Sequence, residues 1–334
     1  MAIKHKTIKA SGDVGLASEW NDNHVVDGAV DFLQHQILNH VIENRTDFPA
    51  GPVEGQIIYR TDLKSAFIWD GTIWKGTAVS GWIIVATDGA GDFTDIQTAI
   101  DAAHAAGGGF IYIKAGTYTT TGLTLYNDIT LMGEDWRTQI ILTDEYSIFC
   151  INLSRVNFIN LRLSFKVNSH TEAPIDIDNA SYITFDRIFF DNATTSGNAV
   201  ECIIWGSYGN TASYIRVRNC KFEKTGGATT TDAFFSIGIN KGWIESNDLT
   251  GIDFNLEQYV IYQNMHITDN KFDRISGTTD TITKCTIRGN EIFDAGTSIN
   301  LGAGSNYNAV IGNIVNVAPV NTGTGNEVAH NPVY

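Results

Sequence analysis

Short runs of alternating apolar and polar residues recur along the chain from Val156 onward. Seven copies share one frame, and position 0 of that frame is occupied by Leu161, Ile188, Cys220, Asn247, Asn270, Asn290 and Asn313. Positions −3 and +2 are apolar in every copy, and successive copies are 27, 32, 27, 23, 20 and 23 residues apart. Alternation with period two predicts β-strands, and a repeat of this length predicts a solenoid of stacked coils.

This repeat is typical of a right-handed parallel β-helix, an all-β, single-stranded solenoid that buries Ile, Val, Leu and Phe at equivalent positions of each coil. Asn occupies position 0 in the last four copies, so we expect it at a left-handed bend, with its amide hydrogen-bonded from coil to coil. Opposite charges alternate at two outward positions, which predicts charged ladders that help to fix the register. The ladders comprise Lys221, Asp248, Lys271 and Glu291 at position +1, and Asp186, Arg218 and Glu245 at position −2.

A helical pattern precedes the repeats. Thr94 and Gln97 have the spacing of a capping box, and the next apolar residues fall on one helical face: Ile96, Ala99, Ile100 and Ala103. Residues 107–109 are glycines and end this pattern, and an alternating run begins at Phe110. The sequence therefore predicts a helix over 94–106 that caps the open first coil of the β-helix.

Composition and charge exclude several classes of function. The chain carries 22 Lys and Arg against 37 Asp and Glu, a formal charge of −15, so a nucleic-acid partner is not expected. No apolar run reaches the ~18 residues of a membrane span, and the basic start lacks the apolar core of a signal peptide, so neither membrane insertion nor secretion is expected. The four cysteines form no C-x-x-C pair, which predicts buried thiols and no metal or other cofactor.

Residues 1–80 lack the repeat and are predicted to form a small β-rich module that precedes the β-helix of residues 81–334. Residues 55–62 and 66–74 show the apolar–polar alternation of β-strands, and Asp70-Gly71 predicts a turn. A bare hairpin of this kind would expose Phe67, Trp69 and Trp74. We expect association with other copies of the chain to bury these rings.

Two resemblances to known families follow from these segments. Residues 88–100, with the pattern Asp-Gly-x-Gly-Asp-Phe-x-x-Ile-Gln-x-Ala-Ile, and residues 111–118, with Ile-x-Ile-x-x-Gly-x-Tyr, resemble the start of pectin-lyase-like β-helix proteins. This resemblance implies a right-handed parallel β-helix and is closest to the pectinesterase type. The paired Asp, Gln and Arg of pectinesterase catalytic segments have no counterpart in this sequence, so pectinesterase activity is not expected.

Residues 17–28, 55–62 and 66–74 resemble segments of tail-fibre and tailspike proteins of bacteriophages and archaeal viruses. In those proteins such modules attach the spike to the particle and help it to trimerise. The resemblance implies a homotrimeric virion structural protein that is assembled in the host cytoplasm. It also implies contacts with other tail or capsid proteins and recognition of a host surface polysaccharide.

The alternative function is a polysaccharide depolymerase, either a glycoside hydrolase or a lyase, because tailspike β-helices often cleave the glycans that they bind. Hydrolysis needs two carboxyls ~5–9.5 Å apart, and adjacent coils stack at ~4.8 Å. At position +3, Asp191 and Glu223 are expected in neighbouring coils, with Asp273 two coils beyond Glu223. These are the candidate catalytic acids, and a chance pairing on a charged surface is the competing interpretation.

The longer segments between strands, 166–181, 191–212, 223–240 and 251–265, are expected to project from the stack. Aromatic rings there and nearby are candidate glycan contacts, namely Trp205, Tyr208, Trp243, Tyr259 and Tyr262. The same rings could instead pack the loops or a subunit interface. A free carbohydrate-active enzyme of a cell is a third interpretation, disfavoured by the fibre-like N-terminus.

Overall fold

The computed structural model describes residues 43–62, 65–69, 71–72, 74–76, 82–144, 147–166, 174–193, 202–205, 211–225, 233–236, 238–255, 261–276, 281–293, 299–301 and 304–333. Contacts divide the chain into two compact units, Met1–Glu43 and Asn44–Tyr334, and the described residues fall almost entirely in the second. Within these ranges, the only helix is too short and too polar to cross a membrane.

The first four strands form one small sheet, with β1 (Glu43–Arg45), β2 (Ile57–Arg60), β3 (Ser65–Trp69) and β4 (Trp74–Gly76) in this order. β3 and β4 are the predicted antiparallel hairpin, in which Trp69 pairs with Trp74. Phe67 is fully buried, because the ring of Phe48 packs edge-on against it at 5.1 Å. The expectation that Phe67 is exposed until another copy covers it is therefore wrong.

The predicted cap helix is present as α1 (Ile96–Ala105). Its apolar face is buried as expected, and it contacts the first strands of the solenoid. The predicted capping box is wrong, because Asp95 is the N-cap and its carboxylate accepts a hydrogen bond from the Thr98 amide at 2.7 Å. Gln97 instead makes two hydrogen bonds with the backbone of Thr124, at 2.9 and 3.0 Å, which attach the helix to the first complete coil.

The remaining strands succeed one another around the coils of the solenoid. The first fourteen are β5 (Ile83–Val85), β6 (Gly109–Ile113), β7 (Gly116–Thr120), β8 (Leu123–Thr124), β9 (Ile129–Gly133), β10 (Thr138–Leu142), β11 (Ile148–Phe149), β12 (Ser154–Ile159), β13 (Arg162–Phe165), β14 (Ile175–Asp176), β15 (Ser181–Asp186), β16 (Phe189–Asn192), β17 (Cys202–Trp205) and β18 (Thr211–Arg218). The rest are β19 (Lys221–Lys224), β20 (Ala233–Ser236), β21 (Gly238–Glu245), β22 (Asp248–Asn255), β23 (Ile261–Thr268), β24 (Lys271–Ser276), β25 (Thr281–Thr283), β26 (Thr286–Arg288), β27 (Glu291–Ile292), β28 (Asn300–Leu301), β29 (Ala309–Ile311), β30 (Ile314–Val315), β31 (Val320–Asn321) and β32 (Glu327–Ala329).

Three parallel sheets form the walls of the solenoid. Sheet 1 has the order β32-β29-β26-β23-β21-β18-β15-β12-β9-β6-β5, with β25 beside β23. Sheet 2 has the order β30-β27-β24-β22-β19-β16-β13-β10-β7, and sheet 3 has the order β20-β17-β14-β11-β8. Neighbouring strands in each sheet come from successive coils, so the chain is a parallel β-helix, as predicted.

The repeat frame correctly predicts the core. Side chains at positions −3 and +2 point inward and stack on their equivalents in the neighbouring coils, as Phe158 does on Phe185 with ring centroids 5.0 Å apart. The buried residues at these two positions are Phe158, Phe185, Val217, Ile244, Ile267, Ile287 and Val310, and Leu163, Phe190, Phe222, Leu249, Phe272, Ile292 and Val315.

The Asn side chains at position 0 form the predicted ladder, which continues one coil further, to Asn331. From Asn247 to Asn313, each Nδ2 donates to the Oδ1 of the next Asn at 2.8–2.9 Å, and each backbone N–H donates to the same oxygen at 2.9–3.0 Å. The left-handed residue lies at position −1 and not at position 0 as expected, for example at Ser246 (φ 56°) and Asp269 (φ 58°). The bend at position −1 lets the Asn that follows it face inward, where backbone amides of the adjacent coil need an acceptor.

Two cysteines belong to ladders of this kind. The Sγ of Cys220 accepts a hydrogen bond from the Ile188 amide at 3.4 Å, and the Sγ of Cys285 accepts one from the Met265 amide at 3.5 Å. Cys220 precedes the main Asn ladder, and Cys285 precedes a shorter one that begins at Asn308. Both thiols are buried, as predicted, and burial raises the pKa of Cys220 to about 12 and that of Cys285 to about 11.

The last residues of the chain form a further coil. β32 pairs with β29 in register, and Val333 forms a bridge with Val315. The Asn331 side chain accepts from Asn313, so the ladder continues into this coil. Segment 317–333 therefore extends the stack.

The predicted charged ladders lie mainly on the outer surface. Lys271 Nζ is 3.2 Å from a Glu291 carboxylate oxygen, an exposed pair that contributes about 0–1 kcal/mol. Arg218 is 3.2 Å from Asp186, whose carboxylate is buried and also accepts a hydrogen bond from Asn219. These pairs support the register, but the apolar core and the Asn ladder carry more of the stability.

Candidate functional site

The predicted catalytic pair is brought together by the register. Asp191 in β16 pairs with Glu223 in β19, in neighbouring coils. Asp273 lies in β24, and its side chain is outside the described part of the structure. The two described carboxylates have different surroundings, because Asp191 is fully buried and Glu223 is exposed and 3.6 Å from Lys221.

Asp191 is held by three neighbouring side chains. Arg162 donates to its Oδ2 from two guanidinium nitrogens at 2.5 and 3.2 Å, and Ser164 donates to the same oxygen at 2.9 Å. Thr225 donates to Oδ1 at 2.6 Å. A buried carboxylate is stable only when it is paired and hydrogen-bonded in this way. The arrangement makes Asp191 an anchor for the Arg162 guanidinium.

A cleft of about 400 Å³ opens beside this ion pair, at one corner of the solenoid. Arg162 and Phe189 are the first residues of β13 and β16, and they pair with each other across sheet 2. The turn between β9 and β10 supplies the other wall. The lining residues are Asp135, Trp136, Arg137, Asn160, Arg162 and Phe189.

Trp136 is the most exposed aromatic ring of the cleft. Its indole N–H donates to the backbone carbonyl of Arg187 at 2.8 Å, and its ring lies against Phe189 with centroids 5.4 Å apart. The side chain is thus fixed although the residue is 41% exposed. Arg162 covers the Phe189 ring with its guanidinium carbon 4.7 Å from the centroid, and Lys221 Nζ lies 5.4 Å from the same centroid.

The turn that carries Trp136 is held by hydrogen bonds within the turn and to the next coil. Arg137 donates to Asp135 from Nε at 2.8 Å and from its backbone amide at 2.7 Å. The side-chain hydrogen bond does most to lower the pKa of the Asp135 carboxyl, and the backbone one adds to it. Asn160 donates from Nδ2 to the Glu134 carbonyl at 2.8 Å, which connects the turn to the next coil. Gly133 precedes the turn, and a Cβ there would lie 2.5 Å from the Asn160 carbonyl oxygen, so this close approach requires glycine.

The predicted aromatic contacts have different locations. Tyr208 and Tyr259 lie outside the described residues, as does the side chain of Trp205. Tyr262 is fully buried in the core, because it points inward from β23, so its prediction as a surface glycan contact is wrong. Trp243 is half-buried on the outer face of sheet 1, two coils along the stack from the coil of Phe189 and outside the lining of the cleft.

Trp136, Phe189 and Arg162 were not among the predicted site residues. Arg162 and Phe189 occupy position +1, the row that continues with Lys221 in the next coil. Following this row backward from the charged ladder would have found them. Trp136 lies in a turn before the first repeat, and no pattern in the sequence relates it to the row.

No metal centre is evident in the described part of the chain, where no three His, Cys, Asp or Glu side chains are grouped as ligands. The cleft is lined by two aromatic rings, two guanidinium groups, one carboxylate and one amide. These groups can bind a polar ligand that also has an apolar face.

Comparisons with known proteins find similar structures but no similar sequence family. Neither a protein-family model nor a curated protein sequence matches this chain. Among solved structures, the A-module of mannuronan C-5 epimerase AlgE4 from Azotobacter vinelandii is 16% identical, covers 70% of this chain and 75% of its own, and has a TM-score of 0.37. The AlgE6 A-module is 16% identical over 70% of this chain and 94% of its own, with a TM-score of 0.22. ORF18 of Geobacillus virus E2 is 15% identical over 83% of this chain and 69% of its own, with a TM-score of 0.31. Similarity at this level leaves the function to be argued from the residues of this chain.

Proposed function

We propose that this protein is a β-helix component of a virion that binds a host surface glycan through the Trp136 cleft. The observation that carries the glycan assignment is the fixed, exposed indole of Trp136 beside Phe189 and the guanidinium of Arg162. Sugars present an apolar face of C–H groups and a rim of hydroxyls. The cleft offers a ring for the first and hydrogen-bond donors for the second.

Preorganisation supports binding at this cleft. Trp136 is held by the Arg187 carbonyl, Arg162 by the buried Asp191, and Asn160 by the Glu134 carbonyl. A site whose side chains are already ordered loses little conformational entropy when a ligand binds. The cleft is also wide and shallow enough to accept one segment of a long polymer from the side.

The virion part of the proposal rests on residues 17–28 and 55–74, which resemble segments of viral tail fibres and tailspikes. Such a protein would contact other tail or capsid proteins and form a homotrimer. Light scattering of the full chain at micromolar concentration tests the trimer. A stable monomer would contradict this part of the proposal and leave the glycan site untouched.

A depolymerase is the alternative, and the pairing of Asp191 with Glu223 in neighbouring coils favours it. In the present proposal Asp191 is a positioning residue for Arg162, since both of its carboxylate oxygens already accept hydrogen bonds. Incubation with a bound polysaccharide separates the two functions. Shortened chains that disappear in Glu223→Gln would establish the depolymerase, whereas an unchanged polymer with retained binding supports recognition alone.

The glycan site is tested on an array of bacterial capsular and O-antigen polysaccharides. We expect Trp136→Ala to weaken binding of the recognised polysaccharide by about tenfold or more, as is typical for loss of a central aromatic contact. Trp82→Ala is the matched control, because Trp82 is also an exposed ring, 54% accessible, and packs against Phe110 outside the lining of the cleft. Equal binding by the two variants, or no binding to any polysaccharide, would refute the proposal.

A further inference from the structure

A second surface lies at the other end of the strands of sheet 1. In four successive coils a left-handed residue bends the chain within the first half of the sheet 1 strand, namely Arg155, Tyr182, Tyr214 and Lys241, with φ between 58° and 64°. Tyr182 and the residue after its strand, Arg187, are five positions apart, so at ~3.3 Å per residue the bend lies ~17 Å from the corner that holds Trp136. We call the surface formed by this bend and its neighbours Arg216, Trp243 and His266 the tyrosine–lysine bend.

The side chains of the bend are ordered by contacts between coils. Tyr182 and Tyr214 stack with ring centroids 4.4 Å apart and planes within 8°. Lys241 Nζ lies 3.0 Å from the Tyr214 hydroxyl, and this cation lowers the pKa of the phenol. The phenol oxygens and the ammonium therefore form one continuous polar rim along the stack, above a base of aromatic rings.

The neighbouring outward row repeats this combination. Arg216 and Trp243 pair across sheet 1, with the guanidinium carbon 5.2 Å from the indole centroid. His266 in the next coil lies parallel to Trp243 at 6.1 Å. Aromatic rings and cations are thus neighbours in two adjacent rows, one extending over four coils and the other over three.

The bend is locally basic although the protein carries a formal charge of −15. Among the described residues, no carboxylate lies within 4.0 Å of the cationic nitrogens of Arg216 or Lys241. The carboxylates of Asp128 and Asp186 form ion pairs with Arg155 and Arg218 instead. Glu245 is the nearest acid along the Trp243 strand, and it pairs in register with Arg218. A local positive potential attracts an anionic ligand to this surface, and the negative charge of the remaining surface repels the same ligand elsewhere.

We propose that the tyrosine–lysine bend is a binding site for an acidic polysaccharide, whose carboxylates or sulfates contact Lys241 and Arg216 while its sugar rings lie along the aromatic side chains. A linear polymer suits the site, because the two rows of side chains run along the stack, with successive coils ~4.8 Å apart. Single-stranded nucleic acid is less well matched. Its bases need open ring faces, and Tyr182 and Tyr214 cover each other's inner faces.

The test uses the full chain and two polyanions, polygalacturonate and dextran sulfate, with neutral dextran as the uncharged polymer. We expect at least one polyanion to bind, and the double variant Lys241→Gln, Arg216→Gln to weaken it by about tenfold or more and to flatten its salt dependence. Arg288→Gln is the matched control. Arg288 is an exposed cation on the same sheet, and its strand lies two coils beyond the strand of Trp243. Its affinity should be within about twofold of the wild type, since a distant exposed charge is largely screened.

Three outcomes would overturn the inference. One is the absence of binding to both polyanions, and another is an equal loss in the Arg288 control, which would indicate general electrostatics. The third is tighter binding of oligo(dT), in competition with the polyanion, which would assign the surface to nucleic acid. Trp136→Ala should leave polyanion binding intact, so failure at this bend and failure of the Trp136 cleft are distinguishable.

Discussion

Replacement of Asn290 by alanine tests whether the Asn ladder, and not only the apolar core, stabilises the solenoid. Asn290 is fully buried. Its Nδ2 donates to the Ile267 carbonyl at 2.9 Å and to Asn313 Oδ1 at 2.8 Å, and its Oδ1 accepts from the amide and the side chain of Asn270 at 3.0 and 2.9 Å. Four hydrogen bonds at about 1 kcal/mol each, with partners left unsatisfied inside the protein, predict a loss of about 3–5 kcal/mol.

The adjacent residue provides the control. Glu291 is on the outer face of the same coil, and its contact with Lys271 at 3.2 Å is exposed to solvent, so Glu291→Ala should cost about 1 kcal/mol or less. Guanidinium unfolding of the full chain gives the change in the free energy of unfolding. Hydrogen exchange gives the local effect, because the Asn270 amide loses its acceptor only in the Asn290 variant. Equal unfolding midpoints and equal exchange of the Asn270 amide in the two variants would refute the role given to the ladder.

Three further predictions concern single contacts. Cys220 and Cys285 should resist iodoacetamide in mildly alkaline buffer and react only after unfolding, because burial raises their pKa to about 12 and about 11; alkylation of the native thiols, mapped by mass spectrometry, would contradict this. Gly133→Ala should cost about 1–3 kcal/mol, since the new Cβ would lie 2.5 Å from a carbonyl oxygen of the next coil; an unchanged Tm would show that the turn relaxes. Arg155→Gln should raise the pKa of the Asp128 carboxyl, which the hydrogen bond from Arg155 lowers, as followed by NMR titration. Because the pKa of Asp128 is lowered in the folded state, the pair stabilises the protein at pH values above the unfolded-state pKa, and this contribution is lost as the pH falls through the folded-state pKa. An equal Asp128 pKa in the wild type and the Arg155 variant would exclude the interaction.

The fold was predictable because its core residues recur at fixed positions of a short repeated frame. Seven copies with apolar residues at −3 and +2 define both the strands and the inward face, and every one of those residues is buried. The Asn ladder followed from the recurrence of one polar residue at one position. The sequence could not locate the left-handed residue, since position −1 is occupied by residues as different as Arg187, Ser246 and Gly312. At that position the stack imposes the backbone conformation, and residue preference does not.

The candidate site was predictable only in part. The pairing of Asp191 with Glu223 followed from the frame, but the burial of Asp191 depends on Arg162 and Thr225, which lie 29 and 34 residues away in the chain. Trp136 is further removed, because its indole N–H contacts a carbonyl 51 residues later. Contacts of this kind join an unrepeated turn to the coils, and periodicity carries no information about them.

A surface site can form on coils with different numbers of residues because the repeated frame itself has a constant length. The interval between position 0 of one coil and the next varies between 32 and 18 residues, yet the strands that flank position 0 pair in register. Insertions are thus absorbed outside the frame, and the outward rows remain aligned. A slip of one residue in β16 would turn Phe189 inward and Phe190 outward, which would remove the ring that supports Trp136 and expose an apolar one. The buried rows that stabilise the solenoid therefore also fix the row Arg162, Phe189 and Lys221, so the core and the cleft depend on the same register.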